Sequence, residues 1–406
     1  MAKAKTPSAA DVSPATPQVT APPQVPQAPD GPETELLREP AEVKYRRELE
    51  ALRQNESDQA PAAWKLSPRS VLTYITGAKK PLKATIDGKV VEVTITRKFF
   101  GDDSIVERSI VTLASERALL LVGDPGTGKS WLSEHLAAAI SGTSLLTIQG
   151  TAGTTEEQIK YSWNIARIIA EGPKPDNMIQ SPCMLAMRAG KIFRFEEITR
   201  CVGDVQDALV SICSDKTIAV PELPDDPMVF ARPGFNIIAT ANARDQGVND
   251  LSAALKRRFN YIHIPVVSDQ KTEVEIVRTR SAELLERYKI PGRIEEPVLK
   301  LLTTVFREMR QGTTGEGLSV QKPTTTLSTA EAIGVALDSA IHSRYFGTGT
   351  VGPEDIARNL IGSIVKEDLA DLKVLKEYMN LVAKKRAAGD PAWKTFYEAA
   401  IKVLSA

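Results

Sequence analysis

The chain has 406 residues with 51 basic and 51 acidic side chains, so its formal net charge is zero; 42% of residues are apolar and 25% charged. That length accommodates two or three compact units with buried cores, and the balanced charge argues against a polycationic nucleic-acid binder. No apolar run approaches a membrane span and no secretory signal is evident. The three cysteines (Cys183, Cys201, Cys213) and three histidines lack metal-ligand spacing, so a soluble cytoplasmic protein with reduced thiols is expected.

Residues 1–33 hold eight of the 26 prolines among Ala, Gln, Thr and Val. Such a tract buries too little apolar surface to offset its ordering entropy and is read as a disordered tail. Residues 34–97 form a second unit. A charged helical pattern runs from Ala41 to Arg53, and Ser67, Pro68 and Gly77 mark the cap, first residue and end of a short helix. Asp87-Gly88 then separates two apolar stretches as a β-hairpin.

From residue 98 to 267 the texture is α/β. Ala118–Val122, Leu145–Ile148, Ile192–Phe195, Phe235–Ala241 and Tyr261–Ile264 are near-continuous apolar runs alternating with helical segments. Five such runs predict a doubly wound parallel sheet. Beyond Asp269 only helical periodicity remains, over Val274–Tyr288, Glu296–Met309 and Ile356–Val382. It divides into 268–350 and a C-terminal extension, 351–406.

The first strand runs into Gly123-Asp124-Pro125-Gly126-Thr127-Gly128-Lys129-Ser130, which fits the phosphate-loop pattern G-x-x-x-x-G-K-[ST] at every fixed position. Glycines let successive N–H groups turn inward, and the following helix adds positive potential at its start. Lys129 would reach the β- and γ-phosphates, and the Ser130 hydroxyl would coordinate Mg²⁺. An acidic strand end is the second requirement. Ile192, Phe193 and Phe195 lead into Glu196-Glu197, although Arg194 interrupts the run and Glu196 stands where Asp is usual. Glu196 is assigned to the Mg²⁺ shell and Glu197 to polarising the attacking water. Asn242, closing the strand Phe235–Ala241, could hold that water or the γ-phosphate. Sixteen residues later Arg257 and Arg258 offer a guanidinium to a neighbouring subunit's γ-phosphate, with Arg258 preferred. His135 and His263 read as packed or hydrogen-bonded imidazoles.

With these residues in place the chain resembles the MoxR group of AAA+ ATPases. The resemblance rests on KFFGDDSIVERSIVTLASERALLLVGDPGTGKS, FRFEEITRCVGDVQDALVSICSDKTIAV and FNIIATANARDQGVNDLSAALKRRF; LSPRSVLTYITG points to the YehL-like branch. It implies a five-stranded αβα nucleotide domain followed by a helical lid, assembly into a homo-oligomeric ring, typically a hexamer, and ATP with Mg²⁺ at subunit interfaces. It also implies a helical insert near Thr155–Pro175 and a hairpin near Lys216–Pro233. By position it assigns Glu197 as the hydrolytic glutamate, Asn242 as the first sensor and Arg258 as the finger. The lid of related proteins offers an arginine in a Ser-Thr-Arg-like stretch; the matching stretch here, Lys322 to Thr326, has none.

The resemblance further implies chaperone-like remodelling of a protein client, with a partner bearing a von Willebrand factor A domain. Two readings from other classes stand beside it: a nucleic-acid motor, and an ATP-binding scaffold with little turnover. Glu222, Asp225 and Asp226 around the hairpin tip would repel a phosphate backbone and argue against the motor.

Overall fold

A computed structural model describes residue 26 and residues 36–243, 249–324, 326–366 and 369–405. The tail read over 1–33 lies outside the described residues apart from Pro26.

The chain opens with α1 (Ala41–Lys44), α2 (Arg46–Gln54) and α3 (Pro68–Thr76). The cap predicted for α3 is present: the Ser67 hydroxyl accepts from Ser70 N at 3.2 Å, with Pro68 in the first turn and Gly77 past the end. Strands β1 (Leu82–Ile86) and β2 (Lys89–Val93) form the antiparallel hairpin expected around Asp87-Gly88. These elements pack beneath α4 (Asp103–Leu113), which leads into β3 (Ala118–Gly123) and α5 (Lys129–Ser141).

Next come β4 (Thr147–Gln149), α6 (Glu156–Ile159), β5 (Tyr161–Trp163), α7 (Ile165–Glu171), β6 (Met178–Gln180), α8 (Pro182–Ala189) and β7 (Ile192–Glu196). The insert predicted as helical is mixed: β5 pairs antiparallel with β6, and α7 bridges them without one buried residue. Helix α9 (Gly203–Ser214) precedes the expected hairpin, β8 (Thr217–Ala219) with β9 (Met228–Phe230). Strand β10 (Asn236–Asn242), the short α10 (Ala253–Lys256) and β11 (Phe259–His263) complete this part.

The sheet is five-stranded and parallel throughout, in the order β11-β3-β10-β7-β4. Its inner strands β3, β10 and β7 are buried along nearly their whole length, which explains why they read as near-continuous apolar runs. Leu119, Leu121, Ile192 and Ile238 face the core shared with α4, α5 and the N-terminal helices. Ala118, Leu120, Phe193, Phe195 and Ile237 face the opposite core, against α8 and α9. The edge strand β4 starts two residues later than its apolar run suggested, because Leu146 is wholly buried in the second core and precedes the ladder.

The stretch expected as the lid holds α11 (Gln270–Arg287), α12 (Glu296–Gln311) and α13 (Thr329–Phe346), and the expected extension opens with α14 (Pro353–Ile364) and α15 (Leu369–Tyr378). A π-turn (Met379–Ala383) follows, then α16 (Lys384–Ala387) and α17 (Pro391–Ser405). One apolar core runs through them from Val274 to Ala400. The continuous helix predicted over Ile356–Val382 is broken after Ile364, where Val365 adopts an extended conformation. The periodicity spanned the break because Ile356, Leu360, Ile364 and Leu375 all enter the same core. His263, read as a packed or hydrogen-bonded imidazole, is exposed at the end of the edge strand β11. Among the described residues no helix is long and apolar enough to cross a membrane. All three cysteines are free and buried.

Candidate active site

The phosphate loop turns between the end of β3 and the start of α5. Gly126 and Gly128 have φ of 75° and 88°, left-handed values that leave glycine the fitting residue at both. The 13-residue α5 directs its first N–H groups toward the loop and favours an anion there. Lys129 is buried, and its ammonium donates to the carbonyls of Gly123 (2.9 Å) and Asp124 (2.8 Å).

Glu196, at the end of β7, is the polar hub behind the loop. Its Oε2 accepts from Ser130 Oγ at 2.7 Å and Thr240 Oγ1 at 2.8 Å. Its Oε1 accepts from Arg194 Nη2 at 2.8 Å and from the Ser133 hydroxyl. Burial pushes this carboxyl up, but the Arg194 charge and the three hydroxyl donors outweigh it and hold the group below the usual carboxylate range. Arg194, which breaks the apolar pattern of β7, is the required counter-charge. It points with Ile192 toward α5 and also donates to Ser133 Oγ (2.8 Å), Ser144 O (3.0 Å) and Ser130 O (3.2 Å).

Glu197 has a left-handed backbone, with φ 54° and ψ 46°, which turns its side chain out of the strand and into the cleft. Its N–H donates to Thr240 Oγ1 at 2.9 Å, and its carboxylate pairs with Arg200 at 2.5 Å. Asn242 lies beside Gly123 across the β10–β3 ladder and lines the same cleft. The structure thus brings Lys129, Ser130, Glu196, Glu197 and Asn242 together. Arg257 and Arg258 are elsewhere, at the end of α10 and off the cleft lining of their own chain. Arg257 is exposed; Arg258 donates to Ala254 O at 2.6 Å and to the Ser214 hydroxyl.

The cleft measures about 1170 Å³ between the phosphate loop and the lid. The lid segment against the loop is Ser328-Thr329-Ala330, at the start of α13, where a Cβ on Gly126 would come within 2.4 Å of Ser328 Cβ. Lys322 also lines the cleft, so the stretch matched in the sequence and the stretch touching the loop are different. Three further lid cations line it that the sequence did not single out: Arg280, Arg287 and Arg310. Arg310 makes a bidentate pair with the wholly buried Glu273, at 2.9–3.0 Å, and so ties α12 to α11. Helical spacing alone carried no signal for these arginines, because each sits in an ordinary amphipathic repeat. Phe99, Phe100, Trp131 and Ile276 supply an apolar wall.

A phosphate loop after β3, an acidic strand end two positions away in the sheet and a helical lid over the cleft define a P-loop protein of the AAA+ class. Residues 118–259 match the AAA domain of the dynein-related subfamily, and residues 271–404 match the YehL-like AAA+ ATPase C-terminal domain. YehL of Escherichia coli K12 is 42% identical over 367 residues, covering 90% of this chain and 97% of that one. The chain belongs to the YehL-like AAA+ ATPases. Midasin of Giardia intestinalis is 30% identical over 131 residues, 32% of this chain but 3% of that protein. Among solved structures, NtrX from Brucella abortus in complex with ADP is 12% identical, with a TM-score of 0.44 over 76% of this chain and 68% of that one.

Proposed function

We propose that the chain hydrolyses ATP as a ring of copies of itself and uses the cycle to remodel a protein client, assisted by a partner with a von Willebrand factor A domain. The observation that carries the catalytic part is the convergence of Ser130, Glu196, Thr240 and Glu197 behind the phosphate loop. Glu197 is the general base: its carboxylate enters the cleft while its backbone is pinned to Thr240. Asn242, at the neighbouring strand end, orients the attacking water or the γ-phosphate. Lys129 is within reach of the phosphates by exchanging its two loop carbonyls for anionic oxygens, a stronger partner for an ammonium.

The donor set fits Mg²⁺. The Ser130 hydroxyl would ligate the ion directly, and Glu196, whose two oxygens are already engaged by four donors, would act through bound water. When bound, the ion neutralises charge on the β- and γ-phosphates. Arg258 lies off its own chain's cleft, and this placement supports service to a neighbouring subunit.

For the client, the exposed acidic residues Glu222, Asp225 and Asp226 on the β8–β9 hairpin favour a protein over a nucleic-acid backbone. The test is phosphate release by the purified chain. Glu197→Gln should abolish turnover and keep ATP binding, and undiminished hydrolysis would overturn the assignment. Capture with ATP-locked Glu197→Gln protein, against a Lys129→Ala control, identifies the partner; nuclease-sensitive recovery of nucleic acid would replace the protein-remodelling reading.

A further inference from the structure

Lys44 on α1 places its Nζ 2.6 Å from Glu283 Oε2 on the lid helix α11, 239 residues away in the chain. The same carboxylate accepts from Arg280 Nη1 at 3.0 and 3.2 Å, one turn earlier on that helix. Arg280 is held from two more sides. Its Nη2 donates to the Lys98 carbonyl at 2.7 Å, and its guanidinium carbon stands 4.0 Å from the Trp131 ring centroid. The Trp131 indole N–H donates to that same carbonyl at 2.9 Å. Arg280 and Trp131 both line the cleft, as do Phe99 and Phe100, whereas Glu196 does not.

The physical consequence is preorganisation. An arginine held in place keeps its planar donor fork preorganised, and a guanidinium over an indole presents a flat face suited to an aromatic base. Glu283 is the hinge of this arrangement, because its charge is divided between Lys44 and Arg280. With Lys44 neutralised, the whole carboxylate charge would act on Arg280 and draw it off the Trp131 face. We infer that Lys44 is a positioning residue for nucleotide binding: through Glu283 it keeps Arg280 stacked on Trp131 as a wall of the base end of the cleft. Docking of the N-terminal helices thereby sets affinity for the base-bearing part of a nucleotide and leaves the phosphate end unchanged. The inference rests on the nucleotide-binding reading of the cleft.

The test uses the full chain, with ADP and Mg²⁺ measured by calorimetry and inorganic tripolyphosphate measured as a competitor of a fluorescent ADP analogue. Lys44→Gln should raise the ADP Kd five- to tenfold, leave the tripolyphosphate inhibition constant within twofold, and keep the nucleotide-free melting temperature. Lys44→Arg, which retains the charge, should bind ADP within twofold of the natural chain. The inference fails if Lys44→Gln binds ADP normally, if Lys44→Arg loses as much as Lys44→Gln, or if both ligands weaken together. A natural chain that binds no ADP would instead remove the nucleotide reading itself.

Discussion

Arg194 and Glu196, two residues apart on β7, point to the same face of the strand and form a buried ion pair at 2.8 Å behind the phosphate loop. Neither side chain is more than 9% exposed. Taking such charges out of water is tolerable only because each is also hydrogen-bonded to hydroxyls or carbonyls of α5 and its neighbours. Arg194→Met should therefore destabilise the chain by about 3–5 kcal/mol in denaturant unfolding, the range for breaking a buried pair. Adding Glu196→Gln should recover part of that loss, since no uncompensated charge then remains. A single-variant cost below about 1 kcal/mol, the value of an exposed pair, would contradict this account.

Gly126 joins the phosphate loop to the lid. An alanine there must adopt a φ of 75° and bring its Cβ within 2.4 Å of Ser328 Cβ, so the first turn of α13 has to move away. The left-handed conformation alone costs an alanine roughly 1–2 kcal/mol. Gly126→Ala should weaken ADP binding at least tenfold in a calorimetric titration. Ser328→Gly on that background should restore a part of the affinity, because it removes the atoms met by the new methyl group.

Arg258 tests the ring. If it serves the next subunit, Arg258→Ala and Glu197→Gln chains, each inactive alone, should recover phosphate release when mixed, since some interfaces then pair an intact glutamate with an intact arginine. A finger of this kind contributes roughly 10³–10⁵ in rate. Absence of recovery at every ratio, with mixed assemblies demonstrated, would overturn the assignment of Arg258 as a finger acting on the next subunit.

His135 gives a pH signature. It is buried on α5 with Tyr74 Oη 2.9 Å from its Nδ1; burial, and then the nearby Lys98 charge, hold its pKa well below the ordinary imidazole range. The folded chain keeps it neutral, whereas the unfolded chain takes up a proton below about pH 6.5. Protons therefore favour the unfolded state, and stability falls as pH drops from that point, by up to about 1.4 kcal/mol per unit from this group. Unfolding curves at pH 7.5 and 5.5 should show the loss in the natural chain and a flatter dependence in His135→Gln.

Local chemistry made much of the nucleotide domain legible in the sequence. The loop Gly123–Ser130 is contiguous, so its spacing alone identifies it, and the buried inner strands announce themselves by near-continuous apolar runs. The Ser67 cap and the Asp87-Gly88 turn are likewise decided within a few residues of chain. Glu196 and Glu197 could be nominated for the same reason, although Arg194 read as an irregularity until its partner was in view.

Contacts across long stretches of chain were decided only by the tertiary structure. The break after Ile364 was hidden because two helices present one periodicity to one core. Ser328 against Gly126, Arg310 on Glu273, and Lys44 on Glu283 join residues whose local patterns are those of ordinary caps and solvated helix faces. The sequence alone determined where phosphate chemistry belongs, because that depends on neighbouring backbone groups. Which lid residues close over it, and which N-terminal helix holds them, depends on distances between elements that no local propensity encodes.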